Sequence, residues 1–150
     1  KTNYLLPTSF KKIGWIMIVI SLIYYVMYMT FDWVTIYFKM PSIFNDGNFF
    51  TMVKTEICST FLPIVALSGF LFIAFSKERD EDEYIGKIRE RSFVFAALFS
   101  SLLIILSTLF IFGLDYLNIL IMDFFVFLFV FTVKFQIELW KFRKENKDEK

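Results

Sequence analysis

Ser-Phe-Val-Phe-Ala-Ala-Leu-Phe-Ser-Ser-Leu-Leu-Ile-Ile-Leu-Ser-Thr-Leu-Phe-Ile-Phe-Gly-Leu, residues 92–114, runs for 23 residues without a charged side chain. A bilayer core about 30 Å thick is crossed by a helix of about 20 mostly apolar residues, so this stretch is long enough to span. Working outward, residues 116–133 form a second such run interrupted only by Asp123, and two further uncharged runs cover 13–31 and 57–76. Lipid offers no partner to a backbone N–H or C=O, so runs of this kind form helices. The alternation of apolar and polar residues that marks a membrane barrel strand does not occur here. The composition agrees: 57% of the 150 residues are hydrophobic, 21% are aromatic and 22 are Phe, well above a soluble domain. The expected fold is all-α and polytopic: a single domain of four transmembrane helices in a bundle, spanning about 13–31, 57–76, 92–114 and 116–136. An aromatic outer connection, 32–56, a charged cytoplasmic connection, 77–91, and a cytoplasmic tail, 137–150, complete it.

Charge sets the expected orientation. Of the 16 basic residues, only Lys39 and Lys54 fall on the side opposite to the termini and the 77–91 connection. The positive-inside rule then places both termini in the cytoplasm. Trp15 and Trp140 are expected at the inner boundary and Trp33 at the outer one, where indole rings favour the headgroup level. The first span is longer than the apolar core of a signal peptide and no small-x-small cleavage site follows it, so it is expected to be retained.

The same inventory excludes much chemistry. With no His, one Cys and 5 Gly, the chain has no imidazole to hold haem, no internal disulfide and no glycine-rich phosphate loop. A formal charge of +1 gives no reason to expect direct nucleic-acid binding. Cys58 has no His to activate it and reads as a small packed residue. No cofactor is expected, and neither a paired-carboxylate site nor a metal-ligand cluster is evident.

Two regions carry functional information. Residues 77–92 hold 11 charges in 16 positions, acidic first and basic last. Asp80 to Glu83 suit a helix N-terminus, Glu83 and Lys87 are spaced i, i+4, and Lys87, Arg89 and Arg91 approach the anionic leaflet. The third span is therefore expected to start as a cytoplasmic helix on which Tyr84, Ile85 and Ile88 share one face. That face either packs on the end of the second span or, with Glu81, Asp82, Glu83, Lys87, Arg89 and Arg91, docks a cytoplasmic protein partner. The outer connection, with turn residues Asn45, Asp46 and Gly47, is expected to lie along the membrane surface, as an interfacial segment covering the bundle's outer end or as a lid over a pocket between helices.

The second region surrounds Asp123, the lone acidic residue inside a span. A carboxylate there costs several kcal/mol unless protonated or paired, so it is either a proton- or cation-binding group or a hydrogen-bonded packing residue. If the last two spans turn near Asp115, Ser107 and Thr108 come level with Asp123 and either can donate to it. Tyr24, Tyr25 and Pro63 are expected in the same layer. Ala96, Ser100 and Ser107, and again Ala97, Ser101 and Thr108, form small faces suited to close helix approach. Lys134 is expected to reach the inner interface and meet Glu138 at i, i+4.

Several strings carry a resemblance: Ile13-Gly14-Trp15 after two lysines, Phe75-Ser76-Lys77 leading to Glu81-Asp82-Glu83-Tyr84-Ile85 and Lys87-Ile88-Arg89, then Ser92, and Leu117-Asn118 opening the aromatic fourth span. Over nearly its whole length the chain resembles a family of uncharacterised small bacterial inner-membrane proteins. Members are often encoded beside a small helix-turn-helix regulator, which the resemblance offers as a partner. Arg89-Glu90-Arg91 departs from that family's apolar-then-acidic residues before the serine. The expected function is a non-enzymatic anchor, sensor or accessory subunit for a protein partner at the cytoplasmic face. The competing expectation is a self-associating, homo-oligomeric channel or small transporter using Asp123.

Overall fold

The computed structural model describes residues 4–31 and 36–150, the side chains of Phe44 and Ser59 excepted. Among the described residues the order is α1 (Ser9–Thr30), β1 (Tyr37–Asn45), β2 (Asn48–Glu56), α2 (Ile57–Phe75), α3 (Glu83–Phe110) and α4 (Leu114–Asp148). The helices α1, α3 and α4 are each long and apolar enough to cross a membrane, and α2 is a helix of 19 uncharged residues. The chain is a multi-pass membrane protein on that ground. Its many exposed apolar side chains, such as Leu98, Ile105, Leu109 and Ile121, are then the lipid-facing surface rather than a defect of packing.

The helices associate as two hairpins. In the first, α1 and α2 cross at a glycine pair: a Cβ on Gly14 would lie 2.7 Å from the Gly69 carbonyl oxygen and 2.9 Å from Ile73 Cγ1. Only hydrogen fits at that crossing. The second hairpin turns at Ile111–Gly113, where Gly113 takes φ +78°. Its seam is small on one side and large on the other: Ser92, Ala96 and Ser100 of α3 are buried, as are Phe131 and Phe135 of α4. Of the two small faces seen in the sequence, the seam uses the one beginning at Ala96, while Ser101 and Thr108 are exposed.

Between the hairpins, α2 meets α4 over a shorter stretch. Phe70 and Phe75 face Phe129 and Phe131, each pair with ring centroids 6.3 Å apart, and Ala74 packs with Ala96 and Phe131. The packing thus runs α1–α2–α4–α3 as a row. The cause is local. Each hairpin has its own small-residue seam, and the two are joined through aromatic rings near one end.

The 32–56 connection departs from the all-α expectation. Its described part is an antiparallel β-hairpin with Asn45 paired to Asn48. Asp46 and Gly47 take φ +46° and +82°, the doubly positive geometry of the two-residue turn that Asp-Gly favours. The turn residues are legible in the sequence, whereas the pairing of the flanking segments is not. The Phe38 ring packs at a tilt against Phe61 with centroids 5.0 Å apart, and Thr55 bonds Thr60 at 2.8 Å, which seats the hairpin on α2. Trp33 lies outside the described residues.

Candidate functional site

The charged end of the molecule is built around the segment between α2 and α3. Asp82 caps α3 by accepting the Ile85 N–H at 2.9 Å, and Glu83 occupies the first turn, so the helix starts where acidic residues suit its positive end. The chain before α1 closes over this region through a bridge between Leu6 and Ser76. The Leu6 N–H donates to the Phe75 carbonyl and the Lys77 N–H to the Leu6 carbonyl, both at 2.8 Å.

Glu78 is the buried centre, its side chain 5% exposed. An unpaired carboxylate there would be costly. Lys11 of α1 donates to one oxygen and Arg143 of α4 to the other, the latter at 3.1 Å. Arg143 also reaches Asp80 at 2.6 Å. This hydrogen bond holds the Asp80 carboxyl below its ordinary range, against the opposing effect of partial burial. The Arg143 guanidinium is raised in turn, first by Asp80 and then by Glu78.

Arg89 is a second tie. Its guanidinium donates to the Ala74 carbonyl at 2.6 Å, to the Ser76 carbonyl at 3.4 Å, and to both oxygens of Glu81 at 3.1 and 3.0 Å. The first two are carbonyls at the C-terminal end of α2, where a cation is favoured. The same group lies 4.7 Å over the Phe135 ring of α4. One side chain therefore joins α2, α3, α4 and the connecting segment.

These contacts divide the residues expected to bind a partner. Ile85 and Ile88 are buried against Phe135 and Leu139, so the apolar face packs on α4 and not on the end of α2. Glu81 and Arg89 are engaged with each other, and Asp82 caps its helix. Glu83, Tyr84, Lys87 and Arg91 remain exposed, and Glu83 and Lys87 do not pair despite their spacing. The Tyr84 ring packs at a tilt against Phe142, with ring centroids 4.6 Å apart. Lys134 meets Glu138 at 3.0 Å as expected. Sequence reasoning did not single out Glu78, Lys11 or Arg143 as a group. Its partners lie 67 and 65 residues away, and the only local sign was a carboxylate set between two bases.

Asp123 is buried on the α3–α4 seam, where it accepts from Ser100, while its Oδ1 has no hydrogen-bond partner. Ser100 thus takes the place expected for Ser107 or Thr108. The turn is at 111–113 rather than at Asp115, and shifting a hairpin turn by three to four residues shifts the facing position by about twice that, two helical turns. Thr108 bonds Tyr116 at 2.8 Å instead, and the Ser107 carbonyl accepts the Ile111 N–H at 2.9 Å. Tyr24 and Tyr25 lie on α1, which packs along α2, and Tyr25 is exposed. Among the described residues no three acidic or cysteine side chains converge as metal ligands would.

No protein-family model, curated protein or solved structure matches this chain.

Proposed function

We propose that this chain is a non-enzymatic anchor, sensor or accessory subunit of a bacterial inner membrane, and that its charged end docks a protein partner in the cytoplasm. The observation that carries this reading is the helical stalk made by the start of α3 and the end of α4. At 1.5 Å per residue, the 35 residues of α4 measure about 52 Å, some 20 Å more than a bilayer core. The excess is a folded element with its own core of Ile85, Ile88, Phe135 and Leu139. A core of this kind gives Glu83, Tyr84, Lys87 and Arg91 fixed positions, which is what a specific polar interface requires. The bias of basic residues toward this end supports the cytoplasmic orientation and a four-span topology in which α2 also crosses. The resemblance to small bacterial inner-membrane proteins, with a helix-turn-helix regulator as the candidate partner, fits the same picture.

The test reverses charge on the exposed face and leaves the internal ties alone. Glu83→Lys, Lys87→Glu and Arg91→Glu together are expected to release a co-purifying polypeptide from detergent-solubilised membranes without moving the melting midpoint. A partner that stays bound at unchanged stoichiometry would refute docking at this face.

A second reading, a homo-oligomeric channel or small transporter, is favoured by one observation. Asp123 Oδ1 and Thr132 Oγ1 are buried polar atoms without partners, about 14 Å apart along α4 by helical rise. Unpartnered polar atoms inside a membrane helix are costly and commonly mark a pathway. On this reading Asp123→Asn abolishes ion flux in liposomes, and equal flux through the variant rejects it.

A further inference from the structure

We propose that the cavity between the N-terminal end of α1, the α2–α3 segment and α4 binds the phosphate of an anionic phospholipid. The cavity has a volume of about 390 Å³ and is walled by Lys11, Lys12, Lys77, Arg79, Arg143 and Trp15, among others. Its one carboxylate, Glu78, is already met by Lys11 and Arg143. Lys12, Lys77 and Arg79 have no ion-pair partner among the described residues, so the cavity carries uncompensated positive charge. The first turn of α1 borders it and contains no acidic residue, and helix N-termini favour anions.

A lipid is the occupant because of what lies next to the charge. Trp15, Ile16 and Val19 follow Lys12 at spacings of three, four and seven, hence on its side of α1, and all three are exposed. Headgroup charge and acyl chain are thus offered contiguous surfaces on one helix, with the indole at the level of the interface. Basic pockets beside membrane helices hold anionic headgroups by this combination. A soluble phosphate would use the cations and leave the apolar strip without a role. The site does not depend on the protein-docking reading, since Glu83, Tyr84, Lys87 and Arg91 take no part in it.

The experiment measures binding of the full chain in neutral detergent to phosphatidylglycerol, phosphatidylcholine and inorganic phosphate, by native mass spectrometry and by the shift in melting midpoint. Phosphatidylglycerol is expected to bind and raise the midpoint, with phosphatidylcholine and millimolar phosphate having little effect. Replacing Lys12, Lys77 and Arg79 by Gln should weaken phosphatidylglycerol binding on the order of a hundredfold, from the usual gain per basic residue at an anionic surface. The matched control, Lys144→Gln, Lys147→Gln and Lys150→Gln, removes the same charge from the end of α4 and should leave binding intact. Equal loss in both variants would make the effect one of diffuse charge and overturn the site. Stabilisation by inorganic phosphate equal to that by lipid would overturn the lipid as occupant.

Discussion

Glu78 and Asp123 are both buried carboxylates, yet they are held in opposite ways. Glu78 receives cations from α1 and α4, helices that do not otherwise belong to one hairpin. Asp123 receives a single hydroxyl from the facing arm of its own hairpin and keeps one oxygen without a partner. The first arrangement joins the two hairpins at the charged end. The second lies within a unit that its small-residue seam already holds together. Charge in this molecule therefore does its structural work where water is near and desolvation is incomplete, while the membrane interior relies on glycine, alanine and serine fitting against large side chains.

That contrast can be broken by substitution. The largest effect is expected from Glu78→Gln, which keeps shape and removes the charge that two cations share. Losing one side of an enclosed ion pair costs about 3–5 kcal/mol. Because Lys11 and Arg143 are 20% and 40% exposed and can turn to water, we expect about 2 kcal/mol at neutral pH, read from reversible unfolding in mixed detergent. Gly14→Ala comes next. With the Gly69 oxygen 2.7 Å from the new Cβ, α1 must move off α2, at a cost of about 1–2 kcal/mol in the same assay. Asp123→Asn retains an acceptor for Ser100 and should change stability by about 0.6 kcal/mol or less, the usual scale of a polar contact between membrane helices. A loss matching that of Glu78→Gln would erase the distinction between the two carboxylates.

The smallest effect concerns acid. Asp80 titrates below its ordinary range in the folded chain because of Arg143. Its contribution is complete above the unfolded carboxylate pKa of about 3.9 and is lost as pH falls through the lower folded value. The side chain is half exposed, so the effect is screened by salt. A melting midpoint that is flat from pH 8 to 5 and declines below about 4, less steeply in Asp80→Asn, is the expected profile.

The long helices were legible because lipid imposes one requirement on every residue of a span: 20 or so apolar side chains with the backbone bonded to itself. The start of α3 at an acidic cap was legible for an equally local reason, since Asp82 and the Ile85 N–H lie three residues apart. The turn at Gly113 was not. Asp115 is the first charge after a run that continues through Leu114, and hydropathy places a boundary at charge, whereas the helix ends where glycine adopts positive φ. That displacement moved the facing hydroxyl from Ser107 or Thr108 to Ser100. The row of helices depends on Gly14 meeting Gly69, two isolated glycines 55 residues apart with no spacing to connect them. The Glu78 network was hidden likewise, because charges in a short connection read as solvated until the distant helices that cover them are in place.

The central claim, that the α3–α4 stalk presents a protein-binding face, is tested most directly by site-specific photocrosslinking in intact native membranes. A photoreactive side chain at Lys87, on the exposed face of the stalk, is compared with one at Leu109, on the lipid-facing surface of α3. The account predicts a discrete adduct with a second, different polypeptide at Lys87 and none at Leu109. An adduct at Leu109 with another copy of this chain, and none at Lys87, would contradict it and turn attention to the oligomer and to Asp123.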